Sequence, residues 1–424
     1  MAYQYELAYV KSIGALLLMC IVIDLLFLSK AVTPMQQRKE HSVKDQLYAS
    51  KHSSQMSASE IHNHLQALNK PGVKTILSPD GDTIVCVPID QQLAFDNPLL
   101  RNHKIRKQPP SLAGAGVSFT NVKASNQFQQ LWQLAGNCPE ETIPVRQAKK
   151  EDLLRAGSVA PFARKPPENN ETLAQKHEHA IAYTGGQYYG AQASINVWKP
   201  EVQKNEYSLS QVWAQAGTRQ IDLNSVEAGW HVDPALYGDD NPRVFAYWTN
   251  DSYNTQGCFN HFCAGFIQVN NNVTLGAAIP YSTYNGAQHE ITIAIAKSDK
   301  WGDWWVKIGD DFIGYFPAEI IPRLATGTAT TLMWGGEVYN TRPSGKHTKT
   351  QMGSGVVPYK GYRHASYFTY IFYLNATYYL ITPSNLELIQ EFPNCYSIGL
   401  SPVSDPNEEK SFYYGGPGLN SQCP

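Results

Sequence analysis

AIAYTGGQYYGAQASINVW, residues 180–198, opens the pattern that decides the fold. Apolar and aromatic residues alternate with polar ones for a few positions, stop at Gly, Asn or Asp, and start again. RVFAYWTND (243–251), GFIQVNNNVTLG (265–276), EITIAIAKSD (290–299), WWVKIGDDFIGYF (304–316), TTLMWGGEVYN (330–340) and SYFTYIFYLNATYYLI (366–381) repeat it. Short alternating runs bounded by turn formers read as strands. Parallel strands need helical crossovers, and only PAEIIPRL, from Pro317, resembles an interposed helix. The spacing therefore predicts a mainly β protein, with an antiparallel β-sandwich or barrel over residues 179–424.

Upstream the pattern changes. TILSPDGDTIVCVPIDQQLAF (75–95) alternates around Asp80, Gly81 and Asp82, which predicts a β-hairpin. Ser57 and Glu60 have capping-box spacing ahead of Ile61, Leu65 and Leu68, which predicts one short helix. Residues 43–165 thus read as a small α/β domain. From Ala160, APFARKPPENNETLAQKHEHA combines Pro, Asn and charge, and residues 166–178 read as an exposed linker and proteolysis site.

Among 424 residues, 36 acidic side chains face 34 basic ones, and 42% of residues are hydrophobic. That balance excludes a disordered chain and a nucleic-acid binder. Residues 101–165 nevertheless hold 11 Lys or Arg against 4 Asp or Glu, so the rest of the chain is net acidic. The basic stretch is expected to lie across an acidic face of the C-terminal domain.

Ile13–Leu28 is apolar apart from Asp24, and residues 1–31 read as a signal peptide. A membrane enters only if this segment stays uncleaved as an anchor. Once Cys20 leaves, six cysteines remain, which formally allow about 15 connectivities. Spacing suggests Cys86 with Cys138, Cys258 with Cys263, and Cys395 with Cys423. A zinc knuckle at CFNHFC using His261 competes weakly, since no second ligand pair follows. No metal or cofactor is expected. Sequons at Asn170, Asn250, Asn272 and Asn375 fit a glycoprotein exported to the apoplast or cell wall, or to the vacuole.

The zinc, nucleophile-elbow, phosphate-loop and dinucleotide motifs are missing from the sequence. His62, His64, His177 and His179 fall in the N-terminal or linker region, and His231, His261, His289, His347 and His364 read as surface or packed residues. Glu227 in SVEAGWHV and Glu337 in MWGGEVYN stand out because each carboxylate lies among apolar and aromatic neighbours. Two such groups can divide acid and base roles. Taken singly, each is more simply a rim residue or the partner of an Arg.

Longer motifs sharpen the reading. LNSVEAGWHVDPALYGDDNPRVFAYWTNDSYNTQGCFNHFCAGFIQVN, WGGEVYN, KHTKTQMGSG and the terminal FYYGGPGLNSQCP resemble the plant neprosin family. The stretch from LNKPGVKTILSPDGD to CPEETIPVRQAKKEDLLRA resembles that family's activation peptide. The resemblance implies a secreted zymogen whose propeptide is its own inhibitor and whose β-sandwich glutamic peptidase domain cleaves after proline in acid. It implies Glu227 and Glu337 as the catalytic pair. Trp230, Trp334 and Tyr339, which lie near them in the sequence, are candidate substrate-binding residues. The competing readings are a glycoside hydrolase, which also needs two carboxylates, and a carbohydrate-binding cell-wall β-sandwich.

Overall fold

In the N-terminal region the hairpin forms as expected, with β1 (Lys74–Leu77) and β2 (Thr83–Pro88) turning at Asp80–Asp82, and β3 (Thr142–Arg146) pairs with β2. The helix Ala58–Leu68 starts at Ser57 with both capping-box hydrogen bonds made, and it buries Ile61 and Leu68. The computed structural model describes residues 57–109, 129–156, 162–167, 177–401 and 410–424. The signal segment, Pro161 and Asn170 lie outside the described residues.

From His177 the chain forms β4 (His177–Tyr188), β5 (Gly190–Asn196), β6 (Tyr207–Ala216), β7 (Asn224–Val232), β8 (Arg243–Thr249), β9 (Cys258–Phe259), β10 (Ile267–Gln268), β11 (Glu290–Lys297), β12 (Trp304–Ile308), β13 (Asp311–Phe316), β14 (Ala329–Tyr339), β15 (Ser366–Leu374), β16 (Leu380–Ile381), β17 (Glu387–Gln390), β18 (Ser397–Leu400) and β19 (Phe412–Gly415). One sheet runs β17-β4-β14-β6-β7-β8-β9. The other runs β10-β13-β12-β11-β5-β15-β19-β18, with β16 beside β15. The core between them is apolar, drawing Val212, Ala228, Trp230 and Trp334 from the first sheet and Ile195, Ile293, Ile295 and Phe368 from the second. PAEIIPRL becomes a 3-10 turn at Ala318–Ile320 and a short helix at Pro322–Thr326.

The expected strands omitted YSLSQVWAQA, which is β6 at the centre of the first sheet. All 10 of its residues are buried. One face packs on the second sheet and the other lies under the N-terminal region, so no half-exposed alternation marks it.

The N-terminal region docks through polar side chains that imitate backbone pairing. The Gln92 side chain donates to Gln268 O (3.0 Å) and accepts from Gln268 N (2.8 Å). Gln130 does the same to Thr274, at 2.8 and 2.7 Å. Asp82 at the hairpin turn holds Arg243 of β8 at 2.5 Å and Arg146 at 2.9 Å. The expectation of a basic stretch laid across the acidic face that carries the glutamates is corrected in part: Arg106 and His103 of that stretch reach Asp303 and Glu319 instead, beside β12 and β13. Lys165, at the end of the stretch, does enter the face that carries the glutamates and bridges them. The reason is reach: Lys165 finds two buried carboxylates on that face, whereas Arg106 and His103 meet acids beside the other sheet.

All three disulfides, Cys86–Cys138, Cys258–Cys263 and Cys395–Cys423, form as the spacing suggested. The zinc-knuckle reading of Cys258 and Cys263 is thereby overturned. Of the sequons, Asn272 is exposed and Asn375 half-buried, whereas the Asn250 amide donates to Ile320 O at 2.9 Å and Ser252 is buried. A glycan at Asn250 does not suit that packing.

Candidate active site

The site is built on three neighbouring strands. In the register, Gln211 of β6 stands opposite Gly229 of β7 on one side and Gly335 of β14 on the other. Both glycines are required by close approach. A Cβ on Gly229 would lie 2.0 Å from Ser210 O, and one on Gly335, where φ is +150°, would lie 2.4 Å from Ala180 O. Glu227 is two residues before Gly229 and Glu337 two residues after Gly335, so both carboxylates share the Gln211 face. Their partners on β6 are Trp213 and Leu209, four positions apart, or about 13 Å along the strand. The carboxylates meet because both side chains reach inward to one point.

That point is occupied by Lys165. Its Nζ donates to Glu227 Oε2 at 2.7 Å and to Glu337 Oε2 at 2.8 Å, with all three side chains buried. The two acceptor oxygens therefore lie no farther apart than the sum of those distances. The rings of Trp213, Tyr247 and Tyr253 surround the ammonium, with centroids 5.8, 5.4 and 6.0 Å from Nζ.

The remaining oxygens are held by hydroxyls and one imidazole. Ser225 and Tyr253 donate to Glu227 Oε1 at 2.8 and 2.6 Å. Tyr207 donates to Glu337 Oε1 at 2.6 Å, and His177 Nδ1 stands 3.0 Å from the same oxygen. His177 Nε2 faces the carbonyl of Pro166 at 3.1 Å. The Gln211 amide lies 3.4 Å from Glu337 Oε2, and its buried Oε1 has no partner among the described residues.

Burial alone would raise the Glu337 pKa, but Lys165, His177 and His179 hold it well below the usual carboxylate range. Burial opposes charge on Lys165 too, and the two glutamates reverse that, raising its pKa. Tyr207 and Tyr247 are pushed well above the ordinary tyrosine value, by burial first and the nearby carboxylates second, so both remain hydroxyl donors.

Of the candidate residues, the structure brings Glu227, Glu337 and Tyr339 to one face. Tyr339 is two residues beyond Glu337, stacks on Tyr207 at 5.7 Å, and meets the edge of His177 at 5.1 Å. Trp230 and Trp334 are corrected. Each is three residues from its glutamate, an odd spacing that turns it to the other face of the strand. Both lie fully buried between the sheets, where their indole N–H groups donate to Asn196 O (3.2 Å) and Gln192 O (3.3 Å). They cannot touch a substrate on the glutamate face.

Sequence reasoning missed Lys165, His177, Tyr207, Gln211 and Tyr253. His177 had been set aside with the linker, yet β4 begins there and pairs it with Tyr339. Two-residue periodicity around Glu337 and Gly335 could have found Tyr339 and excluded Trp334, but nothing local pointed to β6. The packed reading of His231 and His261 holds. His231 is buried against Tyr237, with its pKa well below the ordinary value, and burial lowers His261 to about 4.

A β-sandwich with two buried carboxylates on one sheet, plugged by a lysine from its own N-terminal region, defines a latent precursor. The family models agree with that class: residues 204–417 match Neprosin and residues 75–183 match the Neprosin activation peptide. The chain belongs to the neprosin family, as a glutamic-type peptidase precursor with its activation peptide attached.

Solved structures give weaker likenesses. The crystal structure of Scytalido-glutamic peptidase with a peptide-based transition state analog is similar at 12% identity, over 56% of this chain and 97% of that one, with TM-score 0.32. SCP-B, a member of the Eqolisin family of peptidases in complex with the tripeptide Ala-Ile-His, is similar at 11% identity, over 56% and 96%, with TM-score 0.30. The beta-porphyranase BpGH16B from the human gut bacterium Bacteroides plebeius is similar at 6% identity, over 55% and 63%, with TM-score 0.22. Likenesses this distant say nothing of the reaction.

Proposed function

We propose that this chain is a secreted zymogen of an acid-acting endopeptidase that cleaves after proline, with Glu227 and Glu337 as its catalytic residues and residues 166–178 as the segment cut on activation. The observation that carries this reading is the single ammonium, Lys165 Nζ, held between the two carboxylates at 2.7 and 2.8 Å. A site that binds a cation between two buried carboxylates has room, once the lysine leaves, for a water and the carbonyl it attacks.

Without Lys165 two buried like charges repel, so the pair keeps one proton. Glu337 retains His177 and Tyr207 as donors, which favours its ionised form, while Glu227 is held, among the described residues, by the hydroxyls of Ser225 and Tyr253. Glu337 then takes the proton from the attacking water. Glu227 gives its own to the leaving amine, and the Gln211 amide is placed to donate to the developing oxyanion. Proton bookkeeping balances: the water loses one proton, the leaving nitrogen gains one, and the pair ends with the count it began with.

Specificity for proline is supported by Trp213, Tyr247 and Tyr253, which leave a small apolar slot beside the pair when the lysine withdraws. A glycan cleft would instead be open and polar. The test is incubation of the activated protein at about pH 3–5 with proline-containing peptides, reading cleavage sites by mass spectrometry. Glu227→Gln and Glu337→Gln are each expected to abolish hydrolysis while the protein still folds, since Gln keeps the shape and exchanges no proton. Turnover by either variant at the wild-type rate removes that residue from the mechanism.

A further inference from the structure

Phe162–Pro167 crosses the glutamate face, turning at Phe162–Ala163, where Ala163 has φ +55°, and is held by more than the lysine. The backbone N–H of Phe259, on the edge strand β9, donates to Ala163 O at 2.9 Å. The Tyr247 hydroxyl is hydrogen-bonded to the Lys165 backbone. His177 Nε2 meets Pro166 O at 3.1 Å. Three groups of the first sheet thus hold three successive parts of one peptide backbone, and such contacts do not depend on side-chain identity.

At its N-terminal end the segment buries Phe162 edge-on to Phe262, with ring centroids 5.1 Å apart. Phe262 in turn neighbours Tyr237 at 6.4 Å, and Leu236, Phe245 and Phe259 complete the same apolar cluster. At the other end, beside Glu337, a cavity of about 270 Å³ opens with a mixed lining, Ile181, Trp213 and Met333 together with His179, Arg219 and Glu391. Among the described residues, the N-terminal region packs against the first side of the face, and the cavity lies on the second.

We propose that Phe162–Pro167 marks the substrate's own path, running N to C from β9 towards β4, and that the aromatic recess of Tyr237, Phe259 and Phe262 is a subsite for an aromatic side chain. The recess lies about three residues ahead of the bond cleaved, counted from Phe162 to Lys165. Lys165 enters the pair as a side chain, so the segment rides above the reacting plane and is not itself cut at this point. This rests on the catalytic pair proposed above, but it makes a separate claim about peptide direction and pocket chemistry.

The test uses the activated protein, freed of its N-terminal region, and the capped hexapeptide Phe-Ala-Arg-Lys-Pro-Pro. Calorimetry should detect binding, and replacing the peptide's Phe by Asp should weaken it at least tenfold. Phe262→Ser in the protein should weaken it similarly, while Phe262→Leu largely preserves it. Proline peptides with Phe scanned through five positions on each side of the bond should show at least tenfold higher kcat/KM when Phe lies two to four residues on the N-terminal side. Absent binding, equal binding of the Asp peptide, or an aromatic preference on the C-terminal side overturns the inference. Failure of the proposed reaction looks different, since peptides would bind through the recess and none would be cleaved.

Discussion

Replacing Lys165 by Met in the full precursor removes the ammonium and keeps most of the volume of the side chain. The two carboxylates it bridges are buried, so the variant carries uncompensated charge where wild type has a three-membered ion cluster. Removing one partner from such a cluster costs about 3–5 kcal/mol at pH 7. The pH dependence should also change sign. In wild type the Glu337 pKa is depressed, so its contribution is present above the ordinary 4.5 and is lost as pH falls through the folded value. The Lys165 pKa is raised, so its contribution is present below the ordinary 10.5 and is lost only as pH rises through the folded value. The lock is therefore strongest between those limits and weakens in acid. In Lys165→Met the two buried carboxylates repel each other and the pair takes up a proton, so stability should rise as pH falls from 7 towards 5. Urea unfolding from pH 4 to 8, with gels to check that the chain stays intact, reads both effects. A variant as stable as wild type at pH 7, with the same slope, would refute the bridging role of Lys165.

Trp230→Ala and Trp334→Ala should each cost about 3–5 kcal/mol in urea unfolding, as core truncations do, and Trp230→Phe should leave the KM for proline peptides unchanged. Replacing Cys395 and Cys423 by Ser opens a loop with a sequence separation of 28, and should cost about 3–4 kcal/mol by denaturant midpoint. Asp82→Asn removes the one carboxylate shared by the buried Arg146 and Arg243, which keep Asp152 and Asp239 respectively, and should loosen the N-terminal region enough to speed its proteolytic removal at neutral pH. Glu337→Gln precursor brought to acid should stay uncut in the 166–178 segment, whereas normal conversion of that variant would assign the cut to another protease.

Much of this protein was fixed locally and could be read locally. Alternation over a few residues, ended by Gly, Asn or Asp, depends on near neighbours alone, so the β-sandwich, the hairpin at Asp80–Asp82 and the capped helix at Ser57 were legible in the sequence. The pairs Cys258–Cys263 and Cys395–Cys423 were legible too, because shorter loops close most readily on themselves. Register was not, since it is a relation between strands distant in the chain. It is register that sets Gly229, Gln211 and Gly335 in one row and brings Glu227 and Glu337 to a common point, and the odd spacing of Trp230 and Trp334 mattered only once each strand had an inside and an outside. Lys165 shows the limit most clearly: in ARKPPEN it reads as one more charge in a solvated linker, and only the folded chain, which must neutralise two buried carboxylates, gives that lysine its place.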